Sequence, residues 1–341
     1  MIFFNSDYMA GAHPKVLKAL NDTNLIKSAG YGFDSYTEAA RMSVLKACGL
    51  EDGFVFFLQG GTQTNKTVID RLLSRNDGVL CCDSAHINVH EAGAIEADGH
   101  KVIPLAGKDG KVDAPTISRY VEEFYNDDTN GHMVRPAMVY ISHPTEFGTL
   151  YTRNELADIS EVCKKHGMPL YLDGARLAYG LAAEGTDVTL HDIATLTDVF
   201  YIGGTKCGAL FGEAVVARQG GLLPRFMSLV KLHGALLAKG RLLGVQFQAL
   251  FADGLYYRIG REAVRLAMIL KEGFMAKGYR QYIDSPTNQQ FFILPDSTID
   301  RLRENAGFDL WGPRGEKESV ARFVTDWTTA EEDVSALLSL L

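Results

Sequence analysis

The chain has 341 residues, 46% of them apolar and 22% charged, which is enough for two packed units with real cores and excludes disorder as its main state. Acidic residues outnumber basic ones 42 to 34, and a net charge of −8 argues against nucleic acid as a partner. No apolar run approaches the ~20 residues that span a bilayer.

The segment Met1-Ile2-Phe3-Phe4-Asn5-Ser6-Asp7 lacks the basic start and long apolar stretch of a signal peptide, so a cytoplasmic location and no membrane partner are expected. The cysteines are Cys48, Cys81, Cys82, Cys163 and Cys207. An odd number without a Cys-x-x-Cys pair fits free thiols in a reducing compartment.

Residues 1–14 read as an N-terminal arm rather than a core element. From there short β-branched and aromatic runs alternate with helix-like stretches. The runs are 54-FVFFLQ-59, 79-VLCCD-83, 101-KVIPLA-106, 137-AMVYIS-142, 169-PLYLDG-174, 199-VFYIGG-204 and 214-AVVAR-218. Continuous apolar runs suit strands buried on both faces. In 154-NELADISEVCKKHG-167 an Asn or Thr caps the start, apolar residues recur at helical spacing, basic residues fill the last turn and Gly167 stops the helix. This alternation predicts a large, doubly wound α/β domain over residues 15–224 with a mostly parallel sheet. Residues 225–275 contain no proline and read as one or two long connecting helices. Residues 276–341 read as a small C-terminal α+β domain. Its strands fall near 280–284, 290–294 and 320–327, and its helices near 297–307 and 329–341.

Three features fall at expected carboxyl ends of strands, where open α/β sheets keep their ligands. The first, 60-GGTQTN-65, follows a strand run and opens a helix, so its backbone N–H groups form a phosphate cradle. An ordinary Gly-rich turn has the same composition. So nearly does a nucleotide-binding P-loop, because Lys66-Thr67 stands in the right place, but Asn65 replaces the glycine before the lysine. The second feature is Asp173, which ends an apolar strand and needs partners to stay ionised. By itself, Asp173 with Arg176 reads as a structural turn pair. The third is Lys206, in 203-GGTKCGALFG-212. Desolvation there lowers its pKa and supplies the neutral amine that a Schiff-base lysine requires, although a lone loop lysine usually just reaches for water.

Together they form the inventory of a pyridoxal 5'-phosphate (PLP) site: phosphate anchor, acid for the pyridine nitrogen and amine for the aldehyde. His86, in 83-DSAHINVHEAGA-94, falls at another strand tip, where an imidazole stacks on a flat ring. His86 and His90 also have the spacing of a metal pair on a helix, but the metallohydrolase pattern needs Glu where Ile87 stands. No metal is expected.

In this ordered set, with 6-SDYMAGAHP-14, 171-YLDGARL-177 and 321-ARFVTDW-327, the chain resembles the low-specificity L-threonine aldolases over nearly its whole length. These belong to the beta-eliminating lyase group of fold type I PLP enzymes. The resemblance implies a PLP-dependent carbon–carbon lyase that cleaves β-hydroxy-α-amino acids to glycine and an aldehyde. It implies that Lys206 carries PLP, Asp173 pairs with the pyridine nitrogen, Gly61 and Thr62 hold the phosphate, and His86 stacks on the ring. Ser6, Arg176 and Arg322 would hold the substrate carboxylate. It further implies a homotetramer, a dimer of dimers, with sites at subunit interfaces. There 28-SAGYGFDS-35 faces a neighbour's cofactor and Lys231 or Lys239 reaches across to a phosphate.

The chain departs from the commoner family pattern after 137-AMVYIS-142. A Glu-Asn-Thr-His stretch is replaced by 143-HPTEFGTLY-151, with Glu146 near the histidine's place, as in the subgroup that includes phenylserine aldolases. His90 stands where that subgroup is acidic. The hydroxyl base is therefore His86, Glu146 or a water between them. The cofactor parts also suit β-elimination or transamination on the same scaffold. A non-catalytic PLP-binding protein would not need Lys206, Arg176 and Arg322 together.

Overall fold

The computed structural model describes all 341 residues. All seven of the expected runs in the large unit are strands: β2 (Phe54–Leu58), β3 (Asp77–Cys82), β4 (Lys101–Leu105), β5 (Arg135–Ser142), β6 (Leu170–Asp173), β7 (Val199–Gly203) and β8 (Glu213–Ala217). They form one sheet in the order β2-β8-β7-β6-β5-β3-β4. The pairs β3–β4, β3–β5, β5–β6 and β6–β7 are parallel. Only β8 runs antiparallel to its neighbours β2 and β7. Helices cover both faces, which is why β3, β6, β7 and β8 are buried at every residue. The helix Arg153–His166 is closed by a Thr152–Glu155 capping box and by Gly167 in the left-handed region at φ 65°.

A second, four-stranded antiparallel sheet has the order β12-β13-β10-β9, built from β9 (Arg280–Ile283), β10 (Gln289–Pro295), β12 (Asp309–Leu310) and β13 (Glu318–Val324). Two hydrophobic cores result, one of 67 buried residues on the large sheet and one of 14 on the small. The helix Leu255–Ala276 belongs to both. Tyr256, Ile259 and Ala263 sit in the large core, while Leu266, Leu270 and Phe274 sit in the small one. This is a fold type I architecture.

Two expectations need correction. Residues 225–275 hold three helices, Phe226–Leu232, Arg241–Phe251 and Leu255–Ala276. Gly234 and Gly254 take left-handed φ values of 69° and 67° at the breaks, so glycine ends the helices where no proline does. The first residues are also no free arm. β1 (Ile2–Phe3) pairs in parallel with β11 (Ala306–Gly307), and Phe4 is fully buried in the small core.

Candidate active site

The carboxyl ends of β2, β3, β5, β6 and β7, with the start of antiparallel β8, meet at one edge of the large sheet. Register fixes who stands beside whom: Ser142 pairs with Asp173, and Gly203 and Leu58 both pair with Glu213. A polar cavity opens there. Its wall includes Gly61, His86, Glu146, Asp173, Arg176, Lys206 and Glu213. Two glycines allow this convergence. A Cβ at Gly174 would lie 2.1 Å from the Tyr201 carbonyl, and one at Gly203 would lie 2.3 Å from the Ala175 carbonyl, so the turn after β6 closes directly onto the end of β7.

Asp173 is buried, yet both of its oxygens are saturated by donors. Tyr201 Oη (2.6 Å) and the Ala175 N–H (2.9 Å) donate to Oδ1. Tyr140 Oη (2.7 Å) and Asn65 Nδ2 (3.0 Å) donate to Oδ2. Burial alone would raise its pKa, but the two phenols and Asn65 more than offset this, and the pKa lies below the usual carboxylate value. The expected turn pair with Arg176 does not form. Neutral donors keep Asp173 ionised, and Arg176 pairs instead with Asp7, at 2.7 and 3.0 Å.

Lys206 sits after β7, and Tyr179 Oη donates to its carbonyl at 2.5 Å. Burial and the nearby Arg176 charge lower its pKa, while Asp7, Asp173 and Glu213 pull the other way. Glu213 accepts from Thr205 Oγ1 (2.8 Å) and the Gly204 N–H (3.1 Å), and burial pushes its pKa up to about 8. Neighbouring Cys207 is pushed up to about 12 by burial and is an inert thiol.

His86 and Glu146 meet across the mouth. Glu146 accepts from the His86 N–H (2.9 Å) and from Ser142 Oγ (2.7 Å), and burial raises its pKa. His86 Nδ1 lies 2.8 Å from Glu91 Oε1, so Nδ1 carries a proton toward Glu91 and Nε2 is the ring nitrogen not engaged by it. Asn65 Nδ2 also donates to Glu91 (2.8 Å), which links His86 to Asp173 through buried groups.

The helix Gly61–Leu72 points its N-terminus at the cavity, and its first helical bond runs from the Thr64 N–H to the Gly60 carbonyl. The amides before Thr64 are therefore without helical partners, the arrangement that receives a phosphate. A Cβ on Gly61 would stand 3.3 Å from the Tyr201 hydroxyl, in the cradle itself. These amides, an ionised carboxylate and a lysine of lowered pKa on one wall fit PLP.

Other expected residues lie elsewhere. Thr62 is exposed and off the wall. Ser6 is half-buried and off it too, and its neighbour Asp7, buried and likewise off the wall, is the residue that pairs with Arg176. Arg322, on β13, pairs with Asp309 (2.8 Å), donates to the Asn5 carbonyl (3.2 Å) and lies 5.4 Å from the Trp311 ring, outside the cavity lining. Lys66 pairs with Asp98 at 3.0 Å and does not line the cavity, so the segment is no P-loop. His86 and His90 are ring neighbours at 5.6 Å, but His86 is engaged by Glu91. His143, in the stretch that departs from the family pattern, is fully buried with its pKa lowered to about 4 by burial.

Sequence reasoning missed Asp7, Asn65, Glu91, Tyr140, Tyr201 and Glu213. A signal was present for Tyr140, which stands two residues before Ser142 in an otherwise apolar strand, so both fall on one face.

Fold and site together define a PLP-dependent fold type I lyase. The chain belongs to the beta-eliminating lyase family, whose model matches residues 4–304. A low specificity L-threonine aldolase of Pseudomonas sp. (strain NCIMB 10558) is 30% identical over 337 residues, covering 98% of this chain and 95% of that protein. The solved structure of Leishmania major threonine aldolase superposes with a TM-score of 0.96 at 41% identity, over 100% of this chain and 98% of that one. A Thermus thermophilus aspartate aminotransferase (double mutant), 15% identical with a TM-score of 0.74 over 100% of this chain and 90% of that one, shares the fold.

Proposed function

We propose that the protein cleaves L-threonine, L-allo-threonine and related β-hydroxy-α-amino acids to glycine and an aldehyde, with PLP held on Lys206. The observation that carries this reading is the meeting of three groups on one wall: the open helix N-terminus at Gly61, ionised Asp173 and the lowered-pKa amine of Lys206. Bound there, PLP supplies an aldehyde for an amine and a ring that draws off the electrons released at the substrate's Cα.

The chain's residues do the rest. Asp173 would hold a proton on the ring nitrogen, the backbone amides at Gly61 and Thr62 would hold the phosphate, and His86 would cover the ring. Arg176 would receive the substrate carboxylate, with Ser6 and Arg322 assigned to the same task by family likeness. Fixing the carboxylate fixes the orientation of the substrate's Cα–Cβ bond, and such orientation contributes several kcal/mol. His86 Nε2 takes the β-hydroxyl proton, directly or through a water. Glu146 holds the His86 backbone in place, and its raised pKa makes it a better proton acceptor than an ordinary carboxylate.

The protein is further proposed to be a homotetramer. Tyr31, Phe33, Met42, Phe54 and Phe226 line an apolar surface groove, and Leu25 and Leu232 are strongly exposed, as surface that a second copy covers. Exposed Lys231 and Lys239 fit a reach into a neighbour's site. No helix is long and apolar enough to cross a membrane, and the five cysteines are free and buried, which fits a cytoplasmic enzyme.

The test is product analysis with threonine and phenylserine supplied separately. Glycine with acetaldehyde or benzaldehyde is expected. Ammonia with a keto acid would assign β-elimination instead, and loss of the amino group to a keto-acid acceptor would assign transamination.

A further inference from the structure

The Asp7–Arg176 pair is one of the few ion pairs with both partners well inside the protein. Asp7 is fully shielded and Arg176 has 13% of its side chain exposed, on the cavity wall beside Lys206. A guanidinium has five N–H donors and two useful edges for a carboxylate, the Nε–Nη2 side and the Nη1–Nη2 end. Asp7 occupies the side edge completely, with Arg176 Nε donating to Oδ2 at 2.7 Å and Nη2 to Oδ1 at 3.0 Å. Three donors remain, two of them on the end edge and the third on Nη1 facing the Cδ side.

Asp7 is itself fixed. Asn288 Nδ2 donates to its Oδ2 at 3.0 Å and is anchored on the Thr325 carbonyl at 2.8 Å. Backbone bonds from the Phe4 N–H to the Gly307 carbonyl and from the Val324 N–H to the Phe4 carbonyl hold the segment that carries it.

We propose that Asp7 is a positioning residue for the substrate: by filling the side edge of Arg176 it turns the Nη1–Nη2 edge to the cavity as a preformed receptor for the amino-acid carboxylate. The C–N bonds of the planar group radiate at about 120°, so a guanidinium with both edges free would take the carboxylate in two poses about 120° apart. Asp7 removes the second pose by filling it. This rests on reading the cavity as an amino-acid site.

A Coulomb-only view gives the opposite expectation, because deleting a carboxylate beside Arg176 leaves more positive charge to attract the substrate. The sign of the effect therefore separates the two. Charge does enter a second readout. Four charged groups act on Lys206: Arg176 lowers its pKa, while Asp7, Asp173 and Glu213 raise it. Loss of the Asp7 charge moves the Lys206 titration to lower pH, which a purely structural role would not do.

The experiment compares wild type, Asp7→Asn and Asp7→Glu, each loaded with PLP. It measures glycine binding by the change in cofactor absorbance, KM and kcat for threonine, and the pH titration of the cofactor band. For Asp7→Asn, weakening of glycine and a rise in KM of about tenfold are expected, with a smaller change in kcat and a titration shifted to lower pH. Asp7→Glu keeps the charge and recovers part of the binding. Unchanged or tighter glycine binding by a folded, PLP-loaded Asp7→Asn protein overturns the proposal. If that variant does not fold, Asn288→Ser, which frees Asp7 without touching Arg176, decides. Weaker glycine binding supports the proposal and unchanged binding refutes it. A wild-type protein that takes up PLP but binds no amino acid would sink the reading of the cavity instead.

Discussion

Replacing Tyr201 with Phe removes one hydroxyl from a buried carboxylate that accepts four hydrogen bonds. Asp173 then keeps three donors, and Oδ1 keeps only the Ala175 N–H. A hydrogen bond to a charged group contributes about 1.5–3 kcal/mol, and the Tyr201 bond is short and buried, so a loss of about 2 kcal/mol is expected. Unfolding entropy of roughly 2.1 cal/mol/K per residue gives about 0.7 kcal/mol/K for 341 residues, hence a fall in Tm of about 3 °C for the cofactor-free protein.

The pH dependence follows from the lowered pKa of Asp173. A depressed carboxylate stabilises the fold above its unfolded value and loses that contribution as pH falls through its folded value. The Tm gap between the proteins is thus constant near neutrality and narrows in acid. Scanning calorimetry of both cofactor-free proteins, from neutral pH into acid, measures both effects. An unchanged Tm at pH 7, or a gap that stays constant into acid, refutes the account of Asp173.

Three other outcomes are expected. Lys206→Ala abolishes turnover and the cofactor's Schiff-base absorbance, and retained cleavage at a comparable rate would count against the scheme. Glu213→Gln removes an alkaline liability. With a folded pKa near 8, raised from 4.5, the stabilising contribution of neutral Glu213 is complete below about 4.5 and is lost as pH rises through 8. The variant therefore gains stability over wild type in denaturant titrations at pH 8–9 relative to pH 6, and a constant difference across that range rejects the assignment. Arg322→Ala mainly raises KM for the amino acid, and an unchanged KM leaves Arg322 with its Asp309 partner and no role at the carboxylate.

The large sheet was legible because strands buried on both faces must be apolar along their whole length, as Val199–Gly203 and Glu213–Ala217 are. Strand direction was less so. Nothing in 214-AVVAR-218 marks β8 as antiparallel, but the loop 204–212 is shorter than the dozen or so residues a parallel crossover needs. Lys206 and Asp173 announced themselves as polar groups ending apolar runs. Asp7 did not, because Ser6 and Asp7 are adjacent and only the tertiary path decides which one turns inward. Asn65 and Glu91 were hidden for another reason. Their role is to satisfy Asp173 and His86, and such partners are chosen by distance across elements far apart in the chain, at 108 positions for Asn65 and Asp173. The helix breaks in 225–275 were missed because proline was taken as the stop signal where glycine does that work.

The pairing of Ile2–Phe3 with Ala306–Gly307 has a consequence for synthesis. Asp7 leaves the ribosome 281 residues before Asn288, and before β11 and β13, which hold its segment. The substrate pocket of a nascent chain is therefore incomplete until those later elements have emerged, and any change that blocks β1 would strike the binding site from a distance.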